Sequence, residues 1–184
     1  MSAIPASPTP SEIYAAYGKA LYLAQSMEMG MRIFYWLDAT LPNTPPGKAP
    51  RVDFNQEPLP DANINSLGGF IRQFRKELME EGTVDVQTRA IMRKLEYAVE
   101  QRNWLVHSFW AEHSFAFENP EGRAGMQVEL QELLASFRYH DKLIRHMVKL
   151  ILANYGLQAE KITAESFQSY LQLEKLFEAE DLAG

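Results

Sequence analysis

The sequence predicts an all-α protein, because helical periodicity runs through most of the chain and strand signals are nearly absent. No run of alternating β-branched residues is bounded by hairpin turns. With 46% hydrophobic and 23% charged residues in 184, the composition is typical of a globular protein with a sizeable core. We therefore expect one helical domain over residues 1–184.

The first predicted helix begins after Thr9, which is followed by proline and by Glu12 in the pattern of a capping box. It should run to about Leu41, and residues 1–10 should form a flexible tail. Six of the ten prolines lie in the next stretch, residues 42–64. Because proline cannot continue a helix, this stretch is predicted to be an irregular connection, of a length that is often functional.

A short second helix is predicted from about Asn65 to Glu81, closed by Gly82. Thr83 then caps a third predicted helix, which runs from Val84 to about His113.

After a turn at residues 119–122, a fourth helix is predicted from about Met126 to Tyr155, with Gly156 as a left-handed C-cap. A last, acidic helix should cover residues 164–181. This order of elements, with one long early connection, is typical of an antiparallel four-helix bundle with an additional C-terminal helix.

Charge and composition exclude several classes of function. A net charge of −6 argues against a broad basic surface for duplex nucleic acid. The absence of cysteine excludes disulfides, zinc–thiolate sites and thiol nucleophiles. The N-terminus lacks a basic segment followed by a long apolar run, and no stretch approaches roughly 18 apolar residues. We therefore expect a cytoplasmic protein without a membrane partner.

Charged residues occupy unusual positions on the predicted helices. At about 100° per residue, Arg102 falls in the middle of an apolar stripe on the third helix, which consists of Ile91, Leu95, Ala98, Leu105, Val106 and Phe109. A buried arginine needs a buried acid. Glu28 and Asp141 lie inside the apolar stripes of the first and fourth helices, so either is a candidate partner.

The opposite side of the third helix is polar and carries Glu96, Glu100, Asn103 and His107. Arg102 and His107 are therefore about 140° apart around the helix axis, which is poor for direct contact. Either the arginine reaches round the helix or two helices cooperate. Asn103, one turn before His107, can hydrogen-bond that histidine.

The third helix thus carries Arg102, polar Asn103, aliphatic Leu105 and Val106, and then His107. This pattern, late in the third long helix of an α-bundle, resembles the Arg-x4-6-His motif of the HEPN superfamily. The similarity of topology covers roughly residues 11–155.

The resemblance implies a HEPN-like bundle and a metal-independent endoribonuclease that needs no cofactor. Such enzymes are often found in toxin–antitoxin, abortive-infection and other defence systems. Their sites form where two protomers bring their motifs together, so the implied partners are a second copy of the chain, an RNA substrate and a cognate antitoxin protein.

By the same resemblance, His107 is the general acid or base and Arg102 stabilises the charge on phosphorus. Asn103 would orient His107 or contact phosphate, and Glu28, Glu100 and Asp141 are supporting residues. Many HEPN-like domains are non-catalytic, so the alternative is a helical interaction or nucleic-acid-binding module in which Arg102 is a buried ion-pair residue.

The other histidines, His113, His140 and His146, show no metal-ligand spacing and are predicted to be solvated. Trp104 and Trp110 could stack on bases, but aromatic residues at helical spacing are more often core or interface residues.

Overall fold

The computed structural model describes residues 7–45, 67–80 and 85–158, and every regular element in these ranges is a helix. The α-helices are α1 (Pro10–Thr40), α2 (Leu67–Glu80), α3 (Val86–His107), α4 (Phe109–Phe117) and α5 (Pro120–Asn154), and a 3-10 helix, Leu41–Asn43, follows α1. The predicted all-α class is confirmed. The antiparallel bundle arrangement stays a prediction.

Several predicted segments lie outside the described residues. They are most of the N-terminal tail and of the Pro-rich connection, and the whole C-terminal helix at residues 164–181. Helix α2 agrees with the predicted second helix over its described length. Among the described helices, none combines the length and apolar content needed to cross a bilayer.

Helix α1 begins as predicted. The Thr9 backbone N–H and hydroxyl donate to Glu12 Oε2 at 2.7 and 2.8 Å, and the Glu12 N–H donates to Thr9 Oγ1 at 3.3 Å. These bonds stabilise the carboxylate and lower the pKa of Glu12. The reciprocal capping box satisfies donors that a helix N-terminus leaves unpaired, and so it sets where the helix starts.

The third predicted helix is wrong at both ends. Helix α3 is capped by Asp85, whose side chain accepts from the Thr88 N–H at 2.6 Å, and Thr83 lies outside the described residues. The predicted helix to about His113 is interrupted at Ser108, whose φ of −119° departs from helical values near −63°, and a new helix, α4, begins at Phe109. At this break the Leu105 carbonyl accepts the Tyr17 hydroxyl at 3.3 Å.

The fourth predicted helix begins six residues too late. Helix α5 starts at Pro120, and Asn119 Oδ1 caps it by accepting the Gly122 N–H at 2.7 Å. Its end is as predicted: Gly156 has φ +68°, and the Leu157 N–H donates to the Leu152 carbonyl at 2.9 Å. This bond and the left-handed glycine form a Schellman motif.

The contacts divide the chain into two compact units. Of the described residues, the first unit comprises 7–25 and 85–140, and the second comprises 26–45, 67–80 and 141–158. Two of the three boundaries fall within a long helix, one in α1 and one in α5, and the third lies between α2 and α3.

In the first unit, buried apolar residues line one face of each helix. They include Ile13, Ala20 and Leu23 of α1, Leu95, Ala98 and Leu105 of α3, Phe109 of α4, and Leu130, Leu133 and Phe137 of α5. Arg123 connects three segments of the same unit. Its guanidinium donates to the Pro8 carbonyl at 2.8 Å and to the Phe117 carbonyl at 3.0 Å.

In the second unit, the apolar core consists of Ile33, Leu37, Leu41, Val148 and Leu152. Tyr35 stacks on Phe70 with ring centroids 5.2 Å apart, and its hydroxyl donates to the Phe70 carbonyl at 2.6 Å. The tyrosine therefore attaches α2 to α1 through both packing and a satisfied polar group.

The second unit also buries a closed polar network. Ser26 Oγ donates to Asp141 Oδ1 at 2.7 Å, Arg145 Nε donates to Asp141 Oδ2 at 2.6 Å, and Arg145 Nη2 donates to Ser26 Oγ at 3.0 Å. All three residues are at most 4% exposed. Because water cannot replace these partners, loss of one member leaves the others buried and incompletely paired.

We expect Asp141→Ala to lower the free energy of unfolding by roughly 3–5 kcal/mol, because Arg145 would lose its carboxylate in a buried site. The apolar triple variant Ser26→Ala/Asp141→Leu/Arg145→Met should be less destabilised than this single variant. Urea unfolding measures both, with His146→Ala as the control at an exposed position of the same helix. A cost for Asp141→Ala no larger than that of the control would contradict the prediction.

A second test addresses the joint between α4 and α5. A Cβ on Gly122 would lie 2.1 Å from the Ala116 carbonyl oxygen, whereas a Cβ on Gly125 would meet nothing within 4 Å. Gly122→Ala should therefore destabilise the protein by about 1–3 kcal/mol through overpacking. Gly125→Ala should be neutral or stabilising by up to about 1 kcal/mol, because alanine favours a helix interior. Equal melting temperatures for the two variants would show that the joint is not close-packed.

Candidate functional site

The motif residues lie on the last two turns of α3. Arg102 is half-buried, and Asn103 and His107 are exposed. The Arg102 guanidinium donates from Nη1 to Asn103 Oδ1 at 3.1 Å. His107 is the final residue of the helix, directly before the break at Ser108.

Arg102 was expected in the core, but its side chain is only half-buried. Its stripe is buried at Leu95, Ala98, Leu105 and Phe109, but Val106 on the same stripe is exposed. An arginine can cover apolar surface with its methylene groups while its guanidinium reaches water. The hydrogen bond to Asn103 helps to orient that guanidinium. Helical periodicity alone could not predict this bond.

Three of the four residues on the predicted polar stripe, Glu100, Asn103 and His107, are exposed, and Glu96 is half-buried. Asn103 is one turn from His107, but its amide oxygen accepts from Arg102. The structure therefore brings Arg102 and Asn103 together and leaves the His107 imidazole accessible.

The three supporting acids occupy different environments. Asp141 is buried, as its position predicted, but it is bonded to Arg145 and Ser26. Glu28 is half-buried on α1, and Glu100 is exposed on α3. Sequence reasoning overlooked Arg145, although an arginine four residues after a core aspartate is a direct signal for an ion pair on one helix face.

Two of the remaining histidines are not solvated as predicted. His113 Nε2 lies 2.8 Å from Glu129 Oε2, and its ring packs edge-to-face on Phe109 at a centroid distance of 4.7 Å. His140 is 5% exposed. Only His146 is exposed among the three.

His140 has one satisfied ring nitrogen. Nδ1 donates to the Ser136 carbonyl at 2.7 Å, and the buried Nε2 has no hydrogen-bond partner within the described part of the chain. Burial lowers the pKa of His140 below its ordinary value and outweighs the hydrogen bond to the Ser136 carbonyl, which raises the pKa; the charge of Lys94 lowers it further. The neutral imidazole is therefore the form that the fold prefers.

A cleft of about 330 Å³ opens between α3 and α5 in the first unit. Tyr97, Glu100 and Trp104 line it from α3, and Glu129 and Glu132 line it from α5. Among the residues that the structure describes, no three acidic or histidine side chains are grouped to hold a metal ion.

No protein-family model matches the chain, and no curated protein or solved structure is significantly similar to it.

The buried histidine predicts a dependence of stability on pH. Because its folded pKa lies below the unfolded value of 6.5, the unfolded chain binds more protons between these two values. The free energy of unfolding should fall as pH decreases from about 6.5, by at most about 1.4 kcal/mol per pH unit for one proton. Urea unfolding between pH 5 and 8 measures this loss.

The His140→Gln variant should lose this part of the pH dependence, whereas His146→Gln, altered at an exposed position, should keep it. Identical pH profiles for wild type and His140→Gln would show that His140 is not the responsible group.

Proposed function

We propose that the protein is a metal-independent endoribonuclease of the HEPN type that acts as a homodimer. The observation that carries the proposal is the accessibility of the motif: Arg102 is half-buried, and Asn103 and His107 are exposed at the end of α3. A structural arginine closed into the core could not contact a substrate. These side chains can.

The proposed chemistry needs a proton acceptor, a proton donor and a positive group. An imidazole takes the proton from the ribose 2′-hydroxyl as that oxygen attacks the adjacent phosphorus. The bond from phosphorus to the 5′-oxygen breaks, and the leaving oxygen receives a proton. The products carry a 2′,3′-cyclic phosphate and a 5′-hydroxyl. Internal attack by the 2′-hydroxyl restricts the substrate to RNA.

Arg102 suits the stabilisation of charge on the phosphate oxygens, because a guanidinium stays charged and donates several parallel hydrogen bonds. Asn103 has a more specific role than the sequence indicated. Its amide oxygen accepts from the Arg102 guanidinium, so we assign it to positioning the arginine. His107 is then the residue that transfers protons.

The spacing of the motif supports dimerisation. Arg102 and His107 are five residues apart on one helix, about 140° around its axis. Two motifs that face each other across a twofold axis would place the histidine of one protomer near the arginine of the other. The defence role, the antitoxin partner and the cytoplasmic location stay predictions.

Cleavage of total RNA in EDTA by the purified full-length chain tests the proposal. Wild type should yield fragments with cyclic phosphate ends. His107→Ala and Arg102→Ala should each lower the cleavage rate about 10²–10⁴-fold, because each removes a group that acts in the transition state. His146→Ala and Arg72→Ala, which alter exposed residues outside the motif, are the matched controls.

Equal cleavage by wild type and His107→Ala would refute the assignment of the catalytic residue. RNA binding without cleavage, lost in Arg102→Ala while the melting temperature is unchanged, would favour the non-catalytic module instead. Light scattering determines whether wild type is the expected dimer.

A further inference from the structure

The cleft between α3 and α5 has a negative lining that the proposed nuclease chemistry does not use. Among the residues that the structure describes, its lining includes Glu100, Glu129 and Glu132 and no lysine, arginine or histidine. Glu129 is paired with His113. Within the described part of the chain, the carboxylates of Glu100 and Glu132 make no hydrogen bond and no ion pair. The cleft therefore presents two uncompensated carboxylates, one from each helix.

The aromatic wall of the cleft is held in a defined orientation. The Trp104 indole N–H donates to Glu112 Oε2 at 3.0 Å. The indole ring packs edge-to-face against Phe109 and His113, with centroid distances of 5.4 and 5.9 Å. Contacts on these sides fix the ring while it lines the cleft together with Tyr97, which is 57% exposed.

The same pair of helices already holds a cation over an aromatic ring. Lys94 of α3 places its Nζ 5.0 Å from the centre of the Tyr139 ring of α5, and it donates to the tyrosine hydroxyl at 3.2 Å. Attraction between an ammonium group and an aromatic face is thus realised between these helices. The cleft also offers an aromatic surface, from Trp104 and Tyr97, and it adds two carboxylates, with no lysine or arginine among its described lining residues.

We propose that this cleft binds an organic cation, an alkylammonium or guanidinium group, between Trp104 and the carboxylates of Glu100 and Glu132. Aromatic faces attract such ions, and the flanking carboxylates accept their N–H bonds. The volume of about 330 Å³ lies at the lower end of small-ligand sites. The cation belongs either to a free amine or to a lysine or arginine side chain of a peptide. This proposal does not depend on ribonuclease activity.

Two-dimensional ¹H–¹⁵N NMR of the full chain tests the site through the Trp104 indole signal, which the Trp104→Phe variant assigns. The probes are putrescine, agmatine and the blocked peptide acetyl-Gly-Arg-Gly-amide, with 1,4-butanediol as the uncharged analogue of putrescine. At least one cationic probe should shift the signal saturably. Butanediol should not.

Glu100→Gln/Glu132→Gln should weaken binding at least tenfold, because it removes both unpaired charges. Glu118→Gln/Glu121→Gln makes the same change of net charge at two exposed residues outside the cleft and should preserve the affinity. Melting curves of both variants verify that they fold.

Tighter binding of the peptide than of putrescine and agmatine would support a protein side chain as the natural ligand, and the reverse would support a free amine. Absence of a saturable shift with every cationic probe would overturn the proposal. So would an equal response to butanediol, or an affinity that the Glu100→Gln/Glu132→Gln variant leaves unchanged.

Discussion

A buried charge needs a partner at a short distance, and this requirement explains the polar core of the second unit. Asp141 and Arg145 are one turn apart on α5, so the helix itself sets their separation, and Ser26 of α1 bonds to both. Each polar atom in this ring of hydrogen bonds limits where its neighbour can lie. Apolar packing alone tolerates sliding between helices far better than such a network does.

The same network has a bearing on the motif. Asp141 was one of two acids predicted as a partner for a buried Arg102. Its carboxylate is instead paired with Arg145. Arg102 in turn is half-buried and bonded to Asn103. The buried ion pair and the motif therefore contain two different arginines, Arg145 and Arg102.

Local signals predicted the helix ends where one interaction dominates. The capping box at Thr9 and the left-handed Gly156 each depend on residues adjacent in sequence, and both were predicted correctly. Asn119 and Pro120 are common both in turns and at helix starts, so their pattern alone could not separate the two. The break at Ser108 could not be predicted from a glycine or a proline, because neither residue lies near it in the sequence. The hydroxyl of Tyr17, 88 residues away from Leu105, contacts the backbone there.

Only part of the candidate site could be predicted from the sequence. Periodicity placed Asn103 and His107 on a polar face, and both are exposed, but it could not show that Arg102 is only half-buried. The cleft depends on residues of α3 and α5 that are about 30 positions apart in the sequence, so no local pattern reveals it. His113 and Glu129, 16 residues apart, meet only because α4 and α5 fold together.

Gly122 carries a consequence beyond stability. With the Ala116 carbonyl 2.1 Å from where a Cβ would stand, position 122 has no room for a side chain as long as α4 and α5 meet in this way. A sequence that forms the same joint would therefore keep glycine at this position, and one that keeps the buried ion pair would keep Asp-x3-Arg further along the helix. These backbone and core constraints offer a signature for recognising kinship after the surface, including the Arg-Asn-x3-His segment, has diverged.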